Sequence, residues 1–171
     1  MTWLMTDERL GDGLWAALRR LPPGSGVVFR HHATPPAARR AIHRRVRRIA
    51  QARRLVLLVA GGGLAGKGVH GDEVHKDGRM RGLHSWPAHD RCEAMAGWKR
   101  DADLLFVSPL YPTRSHPGAP SIGPAAAARI GRGLNLPMIA LGGMDARRFR
   151  RLRGRFHGWA AIDAWQENHE S

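Results

Sequence analysis

Eight short apolar runs recur along the chain, and most are separated by stretches in which apolar residues return at helical spacing. The first run, residues 3–7 (WLMTD), ends at Thr6-Asp7. From Gly11 to Leu21 the residues Leu14, Leu18 and Leu21 share one helical face, until Pro22-Pro23-Gly24 stops the pattern. The second run, residues 26–30 (GVVFR), leads into His31-His32. Thr34-Pro35 then opens a helix predicted to reach about Arg54, with Ile42, Val46 and Ile49 on one face and arginines on the others.

Residues 55–60 (LVLLVA) read as a buried strand followed by Gly61-Gly62-Gly63, and Lys67 to His70 reads as a fourth strand. Arg81 to His84 is predicted as the fifth strand, and Pro87 to Trp98 as an amphipathic helix with Cys92, Met95 and Ala96 inward. The sixth, residues 103–107, breaks into Ser108-Pro109 and a Pro/Gly-punctuated loop before an alanine-rich helix from Ser121 to Asn135. Met138 to Leu141 is the seventh run and ends in Gly142-Gly143, with Asp145 as cap of the next helix. Trp159 to Ile162 is the eighth, ending at Asp163-Ala164.

Such a succession predicts parallel βα units, and eight of them predict a closed (β/α)8 TIM barrel formed by a single domain over residues 1–171. The connections after Ala60 and after His70 are shorter than the dozen or so residues of an ordinary parallel crossover. The expectation is therefore a shortened barrel, α/β in class, with its third, fourth and eighth helices reduced or missing. An open doubly wound sheet is the alternative.

Composition narrows the class. Hydrophobic residues make up 43% of the chain, enough for a core. The longest apolar stretch, Leu55 to Ala65, is too short to span a bilayer. Asp7 and Glu8 argue against a signal peptide, and the single cysteine, Cys92, excludes an internal disulfide framework. A cytoplasmic location is the expectation. The net charge of +14 has three readings: solvated arginine faces, attraction of small phosphorylated substrates, or contact with nucleic acid. The arginine helix has no interleaved aromatic residues to stack on bases, so nucleic acid is the least favoured of these.

Candidate chemistry gathers at the strand ends. Residues 102–123 run from a buried strand into a polar, proline-shaped loop carrying Ser108, Thr113, Arg114, Ser115 and His116. Gly142-Gly143, at a strand end before a helix, suits a phosphate. Gly61-Gly62-Gly63 lacks the Lys-Ser/Thr of a P-loop and the spacing of a dinucleotide fingerprint.

SPLYPTRSHPGAPSIG followed by LPMIALGGM resembles the thiamine-phosphate synthase family, including its thiazole tautomerase (TenI-type) branch. WLMTD, VVFRHH, GVH, LHS and AAIDAW fall in matching order on the first, second, fourth, fifth and eighth strands. The resemblance implies a barrel with its site at the carboxyl ends of the strands. It also implies a reaction of thiamine biosynthesis, in which an aminopyrimidine methyl diphosphate loses pyrophosphate and a thiazole phosphate nitrogen attacks the resulting cationic carbon. Mg²⁺ on the leaving group belongs to that implication, as do small phosphorylated substrates as partners, no membrane, and a homodimer as a compatible assembly.

Carried over onto matching positions, the resemblance assigns Arg30 and Thr113 to substrate binding and His84 to catalysis, with Gly142 and Gly143 suiting the thiazole phosphate. His32 and Ser108 are further substrate-binding candidates, Asp72 and Glu73 are metal candidates that lie two or three positions before the family's second metal aspartate, and His116 is the catalytic candidate beyond the end of strand six, where the tautomerase branch carries its own histidine. Several positions depart from the family. The second-strand Gln-x-Arg-x-Lys pattern reads Val28, Arg30 and His32, and the third-strand Asn-Asp reads Ala60-Gly61. The fifth-strand serine reads Gly82 and the phosphate-binding serine of the eighth strand reads Asp163. These departures leave a second reading, a family member that binds a phosphorylated thiazole or similar anion without making thiamine phosphate; the arginine-rich helix supplies a third, a basic RNA-binding protein.

Overall fold

In the computed structural model the apolar runs are eight parallel strands hydrogen-bonded in chain order into a closed barrel. The structure describes residues 1–71, 82–113, 118, 120–152 and 154–165. The strands are β1 (Thr2–Met5), β2 (Gly26–Phe29), β3 (Val56–Ala60), β4 (Gly68–His70), β5 (Leu83–Ala88), β6 (Leu104–Val107), β7 (Met138–Leu141) and β8 (Gly158–Ala161). Between them lie α1 (Gly13–Arg20), α2 (Pro36–Ala52), α3 (Arg91–Lys99), α4 (Gly123–Ile130) and α5 (Ala146–Arg150). β8 returns to β1 with Thr2 opposite Trp159, which removes both sheet edges and excludes the open sheet.

Strand alternation sorts the core into layers. Trp3, Met5, Val28, Leu58, Phe106, Ile139 and Ala160 fill the barrel interior. Gly26 leaves room for the first of these, since a Cβ there would overlap the Trp3 indole. The alternate residues Leu4, Val27, Phe29, Leu57 and Val59 pack outward against α1 and α2. Leu105, Val107 and Ala140 do the same on the opposite side, with Ala127 of α4 and Leu152.

The helix ring is incomplete. Residues 61–67 join β3 to β4 without a helix, and the chain after β8 continues only as a turn through Trp165 among the described residues. β5 corrects the sequence reading. It runs through Pro87 to Ala88, opposite Phe106 and Val107 of β6, so the helix begins at Arg91. Asp90 sets that start by accepting a hydrogen bond from Glu93 N. α3 turns Ala94 and Gly97 inward, with Gly97 against the Trp86 ring, and leaves Cys92 exposed. α4 is shorter than the alanine pattern predicted, ending at Ile130 before Gly131. No described helix is long and apolar enough to cross a membrane.

Candidate functional site

The carboxyl ends of the strands form one mouth, and two of its edges carry polar chemistry. The first edge joins β1, β2 and β3. Arg30 follows β2, and its backbone N–H donates to Thr6 Oγ1 at 3.1 Å while Nε donates to Thr6 O at 2.9 Å. Its Nη2 reaches Asp7 Oδ2 at 3.2 Å, and Asp7 is also held by Arg9 Nε at 2.6 Å. These hydrogen bonds, the Arg9 one foremost, lower the Asp7 pKa to about 2 against the opposing effect of burial. Burial in turn lowers the Arg30 pKa from its very high ordinary value, with Asp7 opposing that shift.

Arg39 completes this edge from the first turns of α2. Its Nη2 donates to the carbonyls of Arg30 and Ala60 and to that of Gly61, the last at 3.2 Å. Gly61 has φ +79, and a Cβ there would stand 3.0 Å from Arg39 Nη2 and 3.4 Å from His32 Nδ1. A side chain longer than hydrogen at this strand end would therefore meet the guanidinium. His32 is exposed beside it, whereas His31 is buried, stacked on Phe29 and bonded through Nδ1 to Thr6 Oγ1 at 3.0 Å. Burial disfavours the charged form of His31.

The second edge joins β6 and β7. After Ser108 the chain turns along β7, with Leu110 N donating to Leu141 O at 2.9 Å and Tyr111 N to Gly142 O at 3.2 Å. Gly142 and Gly143 have φ 93 and 58, so two consecutive residues turn in the left-handed region. A Cβ on Gly142 would lie 2.7 Å from Pro109 Cα, and one on Gly143 would lie 2.5 Å from Pro112 O. The loop from Ser108 to Thr113 and the two glycines thus form one closely packed rim. Arg148 donates to Gly143 O and lies 4.9 Å over the Tyr111 ring. The N-terminus of α5 is capped by the Asp145 carboxylate, which accepts from Arg148 N at 2.7 Å.

The histidines separate by strand face. His84 packs on the outer wall beside Trp86, with Nε2 2.9 Å from Gly71 O and Nδ1 3.2 Å from Arg100 O. It ties the residue after β4 to the C-cap of α3. His70 instead faces the interior, with Nδ1 2.9 Å from Ser85 Oγ and its ring edge-on to Phe106. Burial there lowers its pKa to about 4, with Arg30 and His32 adding to the shift. Ser85 and Arg39 escaped sequence reasoning. The only sequence signal for Ser85 was alternation along β5, and none marked which α2 arginine reaches the mouth.

Asp72, Glu73 and His116 lie outside the described residues. Among the described residues no group of three His, Cys, Asp or Glu side chains could hold a metal ion. The β3 end carries a guanidinium and the Asp7 carboxylate is engaged by two arginines, so these residues do not fit a resident Mg²⁺.

The family model described as Thiamine monophosphate synthase (TMP-TENI) matches residues 83–164, from β5 to just past β8. The protein of Aquifex aeolicus (strain VF5) named "Putative thiamine-phosphate synthase 2" is 37% identical over 57 residues, 33% of this chain and 31% of that protein. Over this second half the chain is similar to the thiamine monophosphate synthase family. The fold agrees over a longer span. "Thiamine phosphate pyrophosphorylase from Pyrococcus furiosus" superposes with a TM-score of 0.78 and 20% identity, covering 94% of this chain and 84% of that one. The structure titled "Native KDPGal structure" superposes with a TM-score of 0.59 at 12% identity, covering 99% and 85%. The family match contains Ser108, Thr113, Gly142 and Gly143, whereas the Arg30–His32 edge lies before it.

Proposed function

We propose that this chain is a thiamine-phosphate synthase-like protein of thiamine biosynthesis that holds two phosphorylated substrates in one barrel mouth and joins them. The observation that carries the reading is the position of the two edges. β2 and β6 are four strands apart in a closed ring of eight, so the Arg30–His32 edge and the Thr113–Gly143 edge face each other across the mouth. Two phosphorylated ring systems can then meet between them.

In this reading the diphosphate of an aminopyrimidine methyl diphosphate lies against Arg30 and His32, and the phosphate of a thiazole phosphate lies against Thr113 and the Gly142-Gly143 backbone. The methylene C–O bond breaks and its electron pair leaves with pyrophosphate, whose charge Arg30 stabilises. The thiazole nitrogen lone pair then forms the new C–N bond. The family implies Mg²⁺ on the leaving group. Asp72 and Glu73 remain the proposed carboxylates for it, and no step here depends on it.

The test is an assay of thiamine phosphate formation from both substrates, at high protein concentration, with thiazole phosphate binding measured in parallel. Product formation supports the reading. Binding of thiazole phosphate without product moves the protein to the second reading, an anion-binding family member. The guanidinium of Arg39 over the β3 end favours that second reading, because a cation there retains anions without supplying a metal site. Loss of both product and binding rejects the two together.

A further inference from the structure

The two edges of the mouth differ in the charge they offer an anion. Arg30 and Arg39 bring two guanidinium groups to the first edge, of which Asp7 pairs with one. Thr113 and the Gly142-Gly143 backbone bring dipoles to the second edge and no formal charge. A phosphate monoester carries between one and two negative charges near neutral pH. Drawn by charge alone, it would go to the first edge and compete there with a diphosphate. The β8 side gives it no counter-charge either. Asp163 lies just past β8, the strand beyond β7 in the ring, and its carboxylate favours the charged form of Arg9. A monophosphate kept at the second edge needs a cation of its own.

Arg148 is placed to supply it. Asp145 caps α5 by accepting from Arg148 N at 2.7 Å, which fixes the turn that carries the side chain. That side chain runs back toward the strand ends. Its Nη1 donates to Gly143 O and would stand 3.0 Å from a Cβ on Gly143. The guanidinium lies 4.9 Å over the Tyr111 ring, and Tyr111 N is itself bonded to Gly142 O at 3.2 Å. Ring and carbonyl thus hold the charge beside the glycine turn, although Arg148 as a whole is exposed. A guanidinium has five N–H donors in a planar fork, so the bond to Gly143 leaves others to meet a phosphate.

We infer, on the reading that this edge takes the thiazole phosphate, that Arg148 is the residue by which it selects the phosphorylated thiazole over the same thiazole with its phosphate removed. The guanidinium pairs with phosphate oxygens from the helix side, while the glycine N–H groups and Thr113 meet them from the strand side. An unphosphorylated thiazole keeps its ring contacts and gains nothing from Arg148.

Calorimetric titration of the full chain with these two ligands tests the assignment. Arg148→Ala should lose at least tenfold in affinity for the thiazole phosphate and stay within about twofold for the unphosphorylated thiazole. Arg148→Lys, which keeps the charge without the fork, should recover part of that loss. Arg147→Ala, an equal charge change at the neighbouring exposed position, should keep both affinities within about twofold. Thermal melts establish that the three variants are folded. Equal loss for both ligands in Arg148→Ala would make Arg148 a support of the turn alone, and unchanged phosphate affinity would remove it from the site. Either result overturns the inference and leaves the edge itself standing. No recovery in Arg148→Lys, or an equal loss in Arg147→Ala, would overturn it as well. If the natural protein binds no thiazole phosphate, the reading of the edge falls and the role of Arg148 falls with it.

Discussion

Arg30 Nη2 stands 3.2 Å from Asp7 Oδ2, and this pair joins the ends of the first two strands at the rim of the mouth. Asp7 is only 19% exposed and is shared with Arg9, so its carboxylate is organised before any ligand arrives.

That pairing makes stability depend on acid. The Asp7 pKa is about 2 in the folded protein against an ordinary 3.8, so its contribution is fully present above 3.8 and is lost as pH falls through about 2. The contribution is about 2 kcal/mol. Denaturant titrations between pH 5 and pH 2 should show a steeper loss for the natural protein than for Asp7→Asn. Parallel slopes would reject the assignment.

Arg30→Ala should weaken binding of inorganic pyrophosphate by about tenfold or more, the value of one charge-assisted contact. It should leave binding of the phosphate-free aminopyrimidine within about twofold. Calorimetry with the two ligands separates these outcomes, and equal losses would make Arg30 a structural residue alone. The same titration repeated with EDTA tests the mouth's own cations: pyrophosphate affinity carried by Arg30, His32 and Arg39 is expected to persist in chelator.

On the opposite edge, Gly142→Ala and Thr113→Ala should part company. The alanine Cβ at position 142 would press on Pro109 at 2.7 Å with φ at 93, so this variant should lose about 1–3 kcal/mol of stability. Thr113→Ala should melt within a few degrees of the natural protein while binding thiazole phosphate about tenfold less tightly. Unchanged affinity in Thr113→Ala would remove that residue from the site.

His84→Ala should behave as a structural variant. Both ring nitrogens face backbone carbonyls on the outer wall, so truncation should cost about 1–3 kcal/mol and leave ligand affinity at the mouth unchanged. Loss of product formation in a variant that remains fully folded would return His84 to the catalytic group.

Much of this was legible along the chain. Apolar runs such as residues 55–60 and 138–141 are buried on both faces of a parallel barrel, and that double burial writes a continuous apolar signal into the sequence. The end of β5 was obscured because Pro87, ordinarily a break, lies in register opposite Phe106. The two glycines after β7 are visible in the sequence as the end of a strand, but the reason for their type, contact with Pro109 and Pro112, appears only when the loop folds against them.

The sequence by itself determined the number and order of strands, the shortened connection after Ala60, and the basic character of the chain, since these follow from local periodicity, spacing and composition. Only the tertiary structure decided which histidine turns inward, which of the α2 arginines reaches the β3 end, and which edges oppose each other. Those depend on strand register and ring closure. A shift of one residue in β5 would exchange the faces of His84 and Ser85, and the distance from Arg39 to Gly61 exists only once α2 has packed on β3.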